Sequence, residues 1–224
     1  MTLLVSAIVP VFLIIFYVYL KDKYDREPKR LLFLHFILGA LVSIFITTVL
    51  YTFIGFFAEF DKSSLIEQFI YAFFVVALIE EFSKYVIVRF IAQPNKKFDE
   101  PFDGIIYAVM VSMGFAATEN ILYVCNGGLG VALVRAFTAL PAHATFGILM
   151  GFYMGKAKFS SHRMRFNLTG LLLAILFHGA YDFFLFIDFV PGIWIGAFIS
   201  LLVGVILAHK AMKIHQKASH FKTD

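Results

Sequence analysis

The residues in this sequence that could do chemistry are acids and imidazoles standing inside long apolar runs. Glu80, Glu81 and Lys84 lie in Ala-Leu-Ile-Glu-Glu-Phe-Ser-Lys at 77–84. Glu119 and Asn120 follow in a second run, His143 in a third, and His178 with Asp182 in a fourth. A charged side chain at the centre of a bilayer costs about 2.5–3.5 kcal/mol on insertion scales, so each calls for a partner or a task. Neighbouring helix residues point about 100° apart. Glu80 and Glu81 are therefore expected to divide roles, with Glu80 facing Lys84 one turn on and Glu81 turned to a different neighbour. His178 and Asp182 stand at i and i+4, where the carboxylate can accept a hydrogen bond from the imidazole and set its tautomer. His143 is one turn from Gly147, whose missing side chain leaves room for a helix or a substrate backbone. Two imidazoles and two or three glutamates at one depth can hold a divalent metal such as zinc with water in an open position. They can equally activate a water through a glutamate base alone. Either arrangement hydrolyses an amide.

The elements that must position these groups are set by composition. Of 224 residues, 61% are apolar and 15% charged, so lipid is the solvent for most of the chain. A crossing helix needs about 20 apolar residues, and such stretches run over 2–20, 31–57, 66–91, 104–125, 131–154, 167–187 and 192–209. The expected fold is an all-α, polytopic transmembrane bundle of about seven helices. It forms a single domain over 1–209, followed by a short basic tail, 210–224. No length is left for a soluble catalytic, nucleotide-binding or DNA-binding domain.

Lys21, Lys23, Arg26, Lys29 and Arg30 fill the first break, Lys96 and Lys97 the third, Lys156, Lys158, Arg163 and Arg165 the fifth, and Lys210, Lys213, Lys217 and Lys222 the tail. The even-numbered breaks hold Lys62 alone. Alternation of this kind places the N-terminus outside and the C-terminus in the cytoplasm. It also accounts for the net charge of +4 without a nucleic-acid partner. The first apolar stretch has no basic residue before it and reads as an uncleaved anchor. A lone cysteine, Cys125, excludes an internal disulfide and a thiolate metal cluster. With these spans, Glu80, Glu81, His143 and His178 fall near mid-membrane and Glu119 nearer the outer face, and Pro141 is expected to kink the fifth helix two residues before His143.

Taken in order, the motifs resemble the PrsW family of bacterial membrane proteases, relatives of the CAAX prenyl endopeptidases. The likeness starts with Leu-Lys-Asp-Lys-Tyr-Asp-Arg-Glu-Pro at 20–28. It continues through Glu-Glu-Phe-Ser-Lys at 80–84, Phe-Asp-Gly at 102–104, Phe-Ala-Ala-Thr-Glu-Asn at 115–120, His-Ala-Thr-Phe-Gly at 143–147, Gly-Phe-Tyr-Met-Gly-Lys-Ala at 151–157 and Phe-His-Gly-Ala-Tyr-Asp at 177–182. The resemblance implies an endopeptidase of the bacterial plasma membrane. It would make the first, site-1-type cut in a single-pass membrane anti-sigma factor and so release a sigma factor for the envelope stress response. The family's essential positions carry over to Glu80, Glu81, Glu119, His143 and His178, with Lys84, Asn120 and Asp182 in support. Glu81 is the expected base. His143, His178 and Glu119 are the expected ligands if a metal is held, and the outward position of Glu119 implies a cut near the extracytoplasmic end of the substrate. The alternative is a proton- or ion-coupled transporter, since relays use the same buried acids and imidazoles; the missing internal repeat argues against it. A haem held by His143 and His178 is a further option that colour would reveal.

Overall fold

The computed structural model describes residues 2–221; Lys222 and the end of the basic tail lie outside the described residues. The described chain forms seven helical rods and no strand: α1 (Thr2–Lys21), α2 (Lys29–Gly55), α3 (65–92), α4 (Pro101–Phe137), α5 (Ala139–Lys158), α6 (Arg163–Phe186) and α7 (Ile195–Lys217). Five stretches are long and apolar enough to cross a membrane: α1, α2, the run through α4 and α5, α6, and α7. The rod left out is α3, because Glu67, Glu80, Glu81, Lys84 and Arg89 interrupt its apolar sequence. The helix least suited to lipid is the one that carries most of the candidate chemistry.

The predicted spans fall on these rods with two differences. The fourth and fifth part at Gly128, inside the expected break at 126–130, but a further break falls within the expected fifth span. α4 runs on past a sharp turn at Gly128 (φ 74°, ψ −164°), a left-handed conformation that glycine adopts without steric cost. The chain breaks next at Thr138 (φ −124°, ψ −80°). Pro141 then sits in the first turn of α5, where its missing N–H would have had no partner anyway, so it starts a helix rather than kinking one. The second difference is at the C-terminus. α7 continues to Lys217 instead of ending at 209, because Ala211, Met212 and His215 are buried. His215 lies with Nε2 2.7 Å from the Phe152 carbonyl and its ring 4.3 Å from the Phe152 ring.

The basic breaks converge at one end of the bundle. Gln216 donates to the Lys21 carbonyl at 2.6 Å, Lys158 to that of Asn95 at 3.2 Å, the Ser219 hydroxyl bonds Glu100, and Phe98 and Phe159 lie 6.4 Å apart. α4 and α5 form the centre, buried over most of their length, and the other rods surround them. Phenylalanines on the outer faces, such as Phe45, Phe56 and Phe137, are exposed, as lipid contact requires.

In lipid, apolar helices gain nothing by exchanging acyl chains for each other, so close contact rests on small residues. The α4–α5 crossing is built that way. A Cβ at Gly151 would stand 2.2 Å from the Gly104 carbonyl oxygen, and one at Gly104 would stand 2.4 Å from that of Gly151. Both obstacles are backbone, which cannot rotate aside. Gly151→Leu is expected to lower the thermal midpoint in detergent by several degrees or more, since forced overpacking costs about 1–3 kcal/mol even where side chains can yield. Gly130→Leu, at a position with open space around it, is expected to leave the midpoint unchanged.

Candidate active site

α3 delivers its charges from a ten-residue α-helical segment, Leu78–Ile87, with wide π-type turns on either side at Tyr71–Ala77 and Val88–Ala92. Such turns shift which face a helix presents and recur at functional sites. A third lies opposite, at Gly39–Ser43 of α2. There Ser43 and Thr47 meet the Ser83 hydroxyl at 2.5 and 3.1 Å, and Ser83 donates to the Glu80 carbonyl at 2.7 Å. The rotation of α3 is thereby set against α2.

That rotation turns both glutamates toward one cation. Lys84 Nζ lies 2.7 Å from Glu81 Oε1 and 3.5 Å from Glu80 Oε2, so the lysine is shared rather than paired with Glu80 alone. Residues at i+3 and i+4 cover the same helix surface, and the lysine stem is long enough to reach both. Glu81 and Lys84 have essentially no exposed surface. The ammonium also sits 4.2 Å from the Phe115 ring centroid and 3.4 Å from His143 Nδ1. Tyr51, on α2, donates to Glu80 Oε1 at 2.9 Å. Glu80 Oε2 and Glu81 Oε2 are buried without a hydrogen-bond partner.

The two imidazoles complete the layer. His178 Nδ1 lies 2.8 Å from Glu81 Oε1, and its Nε2 lies 3.1 Å from Asp182 Oδ2 and 3.9 Å from Glu80 Oε2. Phe146 stacks on the ring at 4.8 Å and 16°, and the His143 ring stands nearly perpendicular at 5.4 Å. Gly147 packs on α4 beside Ser112 and Ala108, so the gap next to His143 receives a helix. Ser112 then holds that turn of α5 by donating to the His143 carbonyl at 2.7 Å.

Glu80, His143 and His178 each offer one ligand atom, and the three lie within 4.8 Å of one another. Two imidazoles and a carboxylate are the donor set of catalytic zinc sites that keep a fourth position open. Glu80 Oε2, which has the Lys84 ammonium at 3.5 Å but no hydrogen bond, is the kind of atom such an ion satisfies. The carboxylates are numerous for their counter-charges: Glu80, Glu81, Glu119 and Asp182 face Lys84 and Arg135, with both ring nitrogens of His178 set against carboxylate oxygens. The residues fit a divalent metal. The carboxylate grouped with the histidines is Glu80 and not the expected Glu119.

Glu119 is engaged elsewhere. Its Oε2 accepts from Arg135 Nη2 at 2.6 Å and lies 3.0 Å from His143 Nε2. Arg135 Nε donates to Asn120 Oδ1 at 2.8 Å, while Asn120 Nδ2 donates to the Ala7 carbonyl of α1 at 2.9 Å. Asn120 therefore joins α1, α4 and the segment between Gly128 and Thr138 that carries Arg135. Sequence reasoning missed Tyr51 and Arg135. The arginine had a signal, a charge inside an apolar run, whereas nothing separates Tyr51 from the other aromatics. His143 is only the fifth residue of α5, about 6 Å from its start at 1.5 Å per residue, so the layer lies nearer the end opposite the basic breaks than mid-span.

Comparison with known proteins agrees with this geometry. The profile described as PrsW family intramembrane metalloprotease matches residues 27–209. A Protease PrsW of Oceanobacillus iheyensis is 42% identical over 186 residues, covering 83% of each chain. One of Geobacillus kaustophilus is 37% identical over 202 residues, 90% of this chain and 87% of the relative, and one of Clostridioides difficile is 36% identical over 230 residues, 98% and 93%. No solved structure matches. The match spans every rod that contributes a side chain to the charged layer, and at this identity and coverage it settles descent: the chain belongs to the PrsW family of intramembrane metalloproteases.

Proposed function

We propose that this membrane-embedded endopeptidase makes the site-1 cut in a single-pass membrane anti-sigma factor. In this reading Glu80, His143 and His178 hold a divalent metal and Glu81 serves as the base. The observation that carries the reading is the convergence of Glu80, one of whose oxygens has no hydrogen-bond partner, with two imidazoles in a buried layer. Membership of a protease family favours hydrolysis over the ion-relay alternative.

A metal held there supplies Lewis-acid polarisation of the scissile carbonyl and lowers the pKa of a bound water. The protein's own groups do the rest. Glu81 Oε1 accepts from the Nδ1–H of His178 and orients the ring, whose Nε2 lies between Asp182 Oδ2 at 3.1 Å and Glu80 Oε2 at 3.9 Å. Lys84 holds the same oxygen, which leaves Glu81 Oε2 free to take a proton from the attacking water and return it to the leaving amine. Tyr51 fixes Glu80 through its other oxygen. Arg135 and His143 hold Glu119 at the rim, where an extended substrate backbone entering from the end opposite the basic breaks would meet it. With the basic end in the cytoplasm, the cut falls in the extracytoplasmic part of the substrate helix.

Two measurements test the assignment. Glu80→Gln is expected to lose both cleavage and bound metal, whereas Glu81→Gln is expected to lose cleavage by about a hundredfold or more while keeping the metal. Assaying a purified candidate substrate and measuring zinc in the same preparations checks this, and the opposite pattern would exchange the two roles. Co-expression with a single-pass anti-sigma factor tagged at both ends is expected to yield a fragment cut on the extracytoplasmic side. Cleavage mapped to the cytoplasmic side would overturn the entry direction, and an intact substrate would overturn the substrate class.

A further inference from the structure

A second group of acids, at the opposite end of the bundle, takes no part in the chemistry above. Glu27 comes from the break between α1 and α2, Asp99 from the break between α3 and α4, and Asp103 from the first turn of α4. One oxygen from each lies within 4.8 Å of the others. Asp22 and Glu100 stand close enough to repel them. Asp22, Glu27, Glu100 and Asp103 are each 5% exposed or less. Among the described residues no lysine or arginine forms an ion pair with any of the five. The donors present are few: the Tyr107 hydroxyl on Glu27, the Ser219 hydroxyl and the Asp103 amide on Glu100, the Glu27 amide on Asp22 Oδ2 at 3.5 Å, and the amides of Asp99 and Glu100 on Asp103 Oδ2 at 2.8 and 2.7 Å, while the Glu27 and Asp103 carboxyls lie within hydrogen-bonding reach of each other. Asp22 Oδ1, Asp99 Oδ1 and Asp103 Oδ1 remain buried with no hydrogen-bond partner.

Buried like charges without counter-charge are unfavourable, and desolvation together with repulsion from the neighbouring acids pushes the carboxyls of Asp22 and Glu27 up to about 7. Protons or a cation can relieve this. A proton shared by Glu27 and Asp103 joins two oxygens, whereas here lone pairs from two chain segments, 22–28 and 99–103, converge and Asp22 Oδ1, Asp99 Oδ1 and Asp103 Oδ1 have no donor at all, which is the need a multivalent cation meets. An all-carboxylate set is hard and selects ions of the calcium and magnesium class over zinc. Asp22 and Glu27 also belong to the motif at 20–28 and Asp103 to that at 102–104, for which the charged layer has no use. We propose that Glu27, Asp99 and Asp103 form a second cation site, for a hard divalent ion that clasps the breaks 22–28 and 93–100 to the start of α4. Asp103 and Glu119 are separated by about 24 Å along α4 at 1.5 Å per residue, so this ion is distinct from any metal in the active site.

Equilibrium dialysis of the full chain in detergent, stripped with chelator and titrated with calcium and separately with manganese, tests the site. The manganese series uses the Glu80→Gln background to remove the other donor set. At least one of the two ions is expected to bind at about one per chain, with Asp103→Asn and Glu27→Gln weakening it about tenfold or more and Glu80→Gln leaving calcium binding unchanged. No retention of either ion up to about millimolar concentration would overturn the proposal, since the acids would then hold protons instead. Equal affinity in wild type, Asp103→Asn and Glu27→Gln would overturn it as well. If those two variants aggregate, Asp99→Asn decides, because Asp99 is only partly buried and its loss leaves the α4 cap in place: weakened binding supports the site, and unchanged binding overturns it.

Discussion

The interaction on which the rest of the molecule depends is the burial of the Lys84 ammonium between Glu81 and Glu80. A lysine with almost no exposed surface persists in an apolar bundle only with counter-charge at contact distance, and removing either side strands the other in a medium that cannot solvate it. Both partners are local, at i−3 and i−4, so the triad forms as soon as α3 is helical. It leaves two carboxylate oxygens over, and the orientation of α3 decides where these point. That orientation is set from outside α3, by the Ser43–Thr47–Ser83 contacts and by Tyr51.

A chain that must keep charge at membrane depth needs helices that approach closely enough to exclude lipid, and the α4–α5 crossing supplies this through backbone contact at Gly104 and Gly151. The two central rods bring His143 and Glu119 to α3, and α6 packs its His178 face against both. The segment between Gly128 and Thr138 then covers the layer from the end opposite the basic breaks, tied down by Arg135. The bundle thus has two polar centres at different depths. One is mixed in sign and built of acids, imidazoles and two cations; the other consists of acids alone. Their donor chemistry differs as their surroundings do: nitrogen and oxygen in the buried layer, oxygen only at the basic end.

Much of the fold was legible along the chain because the constraint behind it is local. Lipid admits only long apolar helices, so the rods and the polarity of their connections can be read from composition, and any acid or imidazole within a rod stands out by its cost. The His178–Asp182 contact was legible for the same reason, since i and i+4 share a helix face. Where reading failed, the information was not local. Pro141 lies in a helix's first turn because the chain breaks at Thr138, at the end of a segment that Arg135 ties back to Glu119 and Asn120, and α7 runs on to Lys217 because Phe152 on another rod accepts His215.

By itself, then, the sequence determined the family, the class of fold, the set of residues from which the charged layer is made and the end of the bundle that carries its basic connections. Only the tertiary structure decided how that set is divided. Lys84 serves both glutamates, Glu80 groups with both imidazoles while Glu119 meets His143 alone, and Arg135 and Tyr51 enter as partners. The same holds for Glu27, Asp99 and Asp103, which look like ordinary connecting acids until the break at 22–28 meets the stretch at 99–103. The physical reason is that helix periodicity states which residues share a face, while the partner of each face depends on the rotation and crossing of whole rods. Those are set by glycine contacts and wide turns distributed over the entire chain.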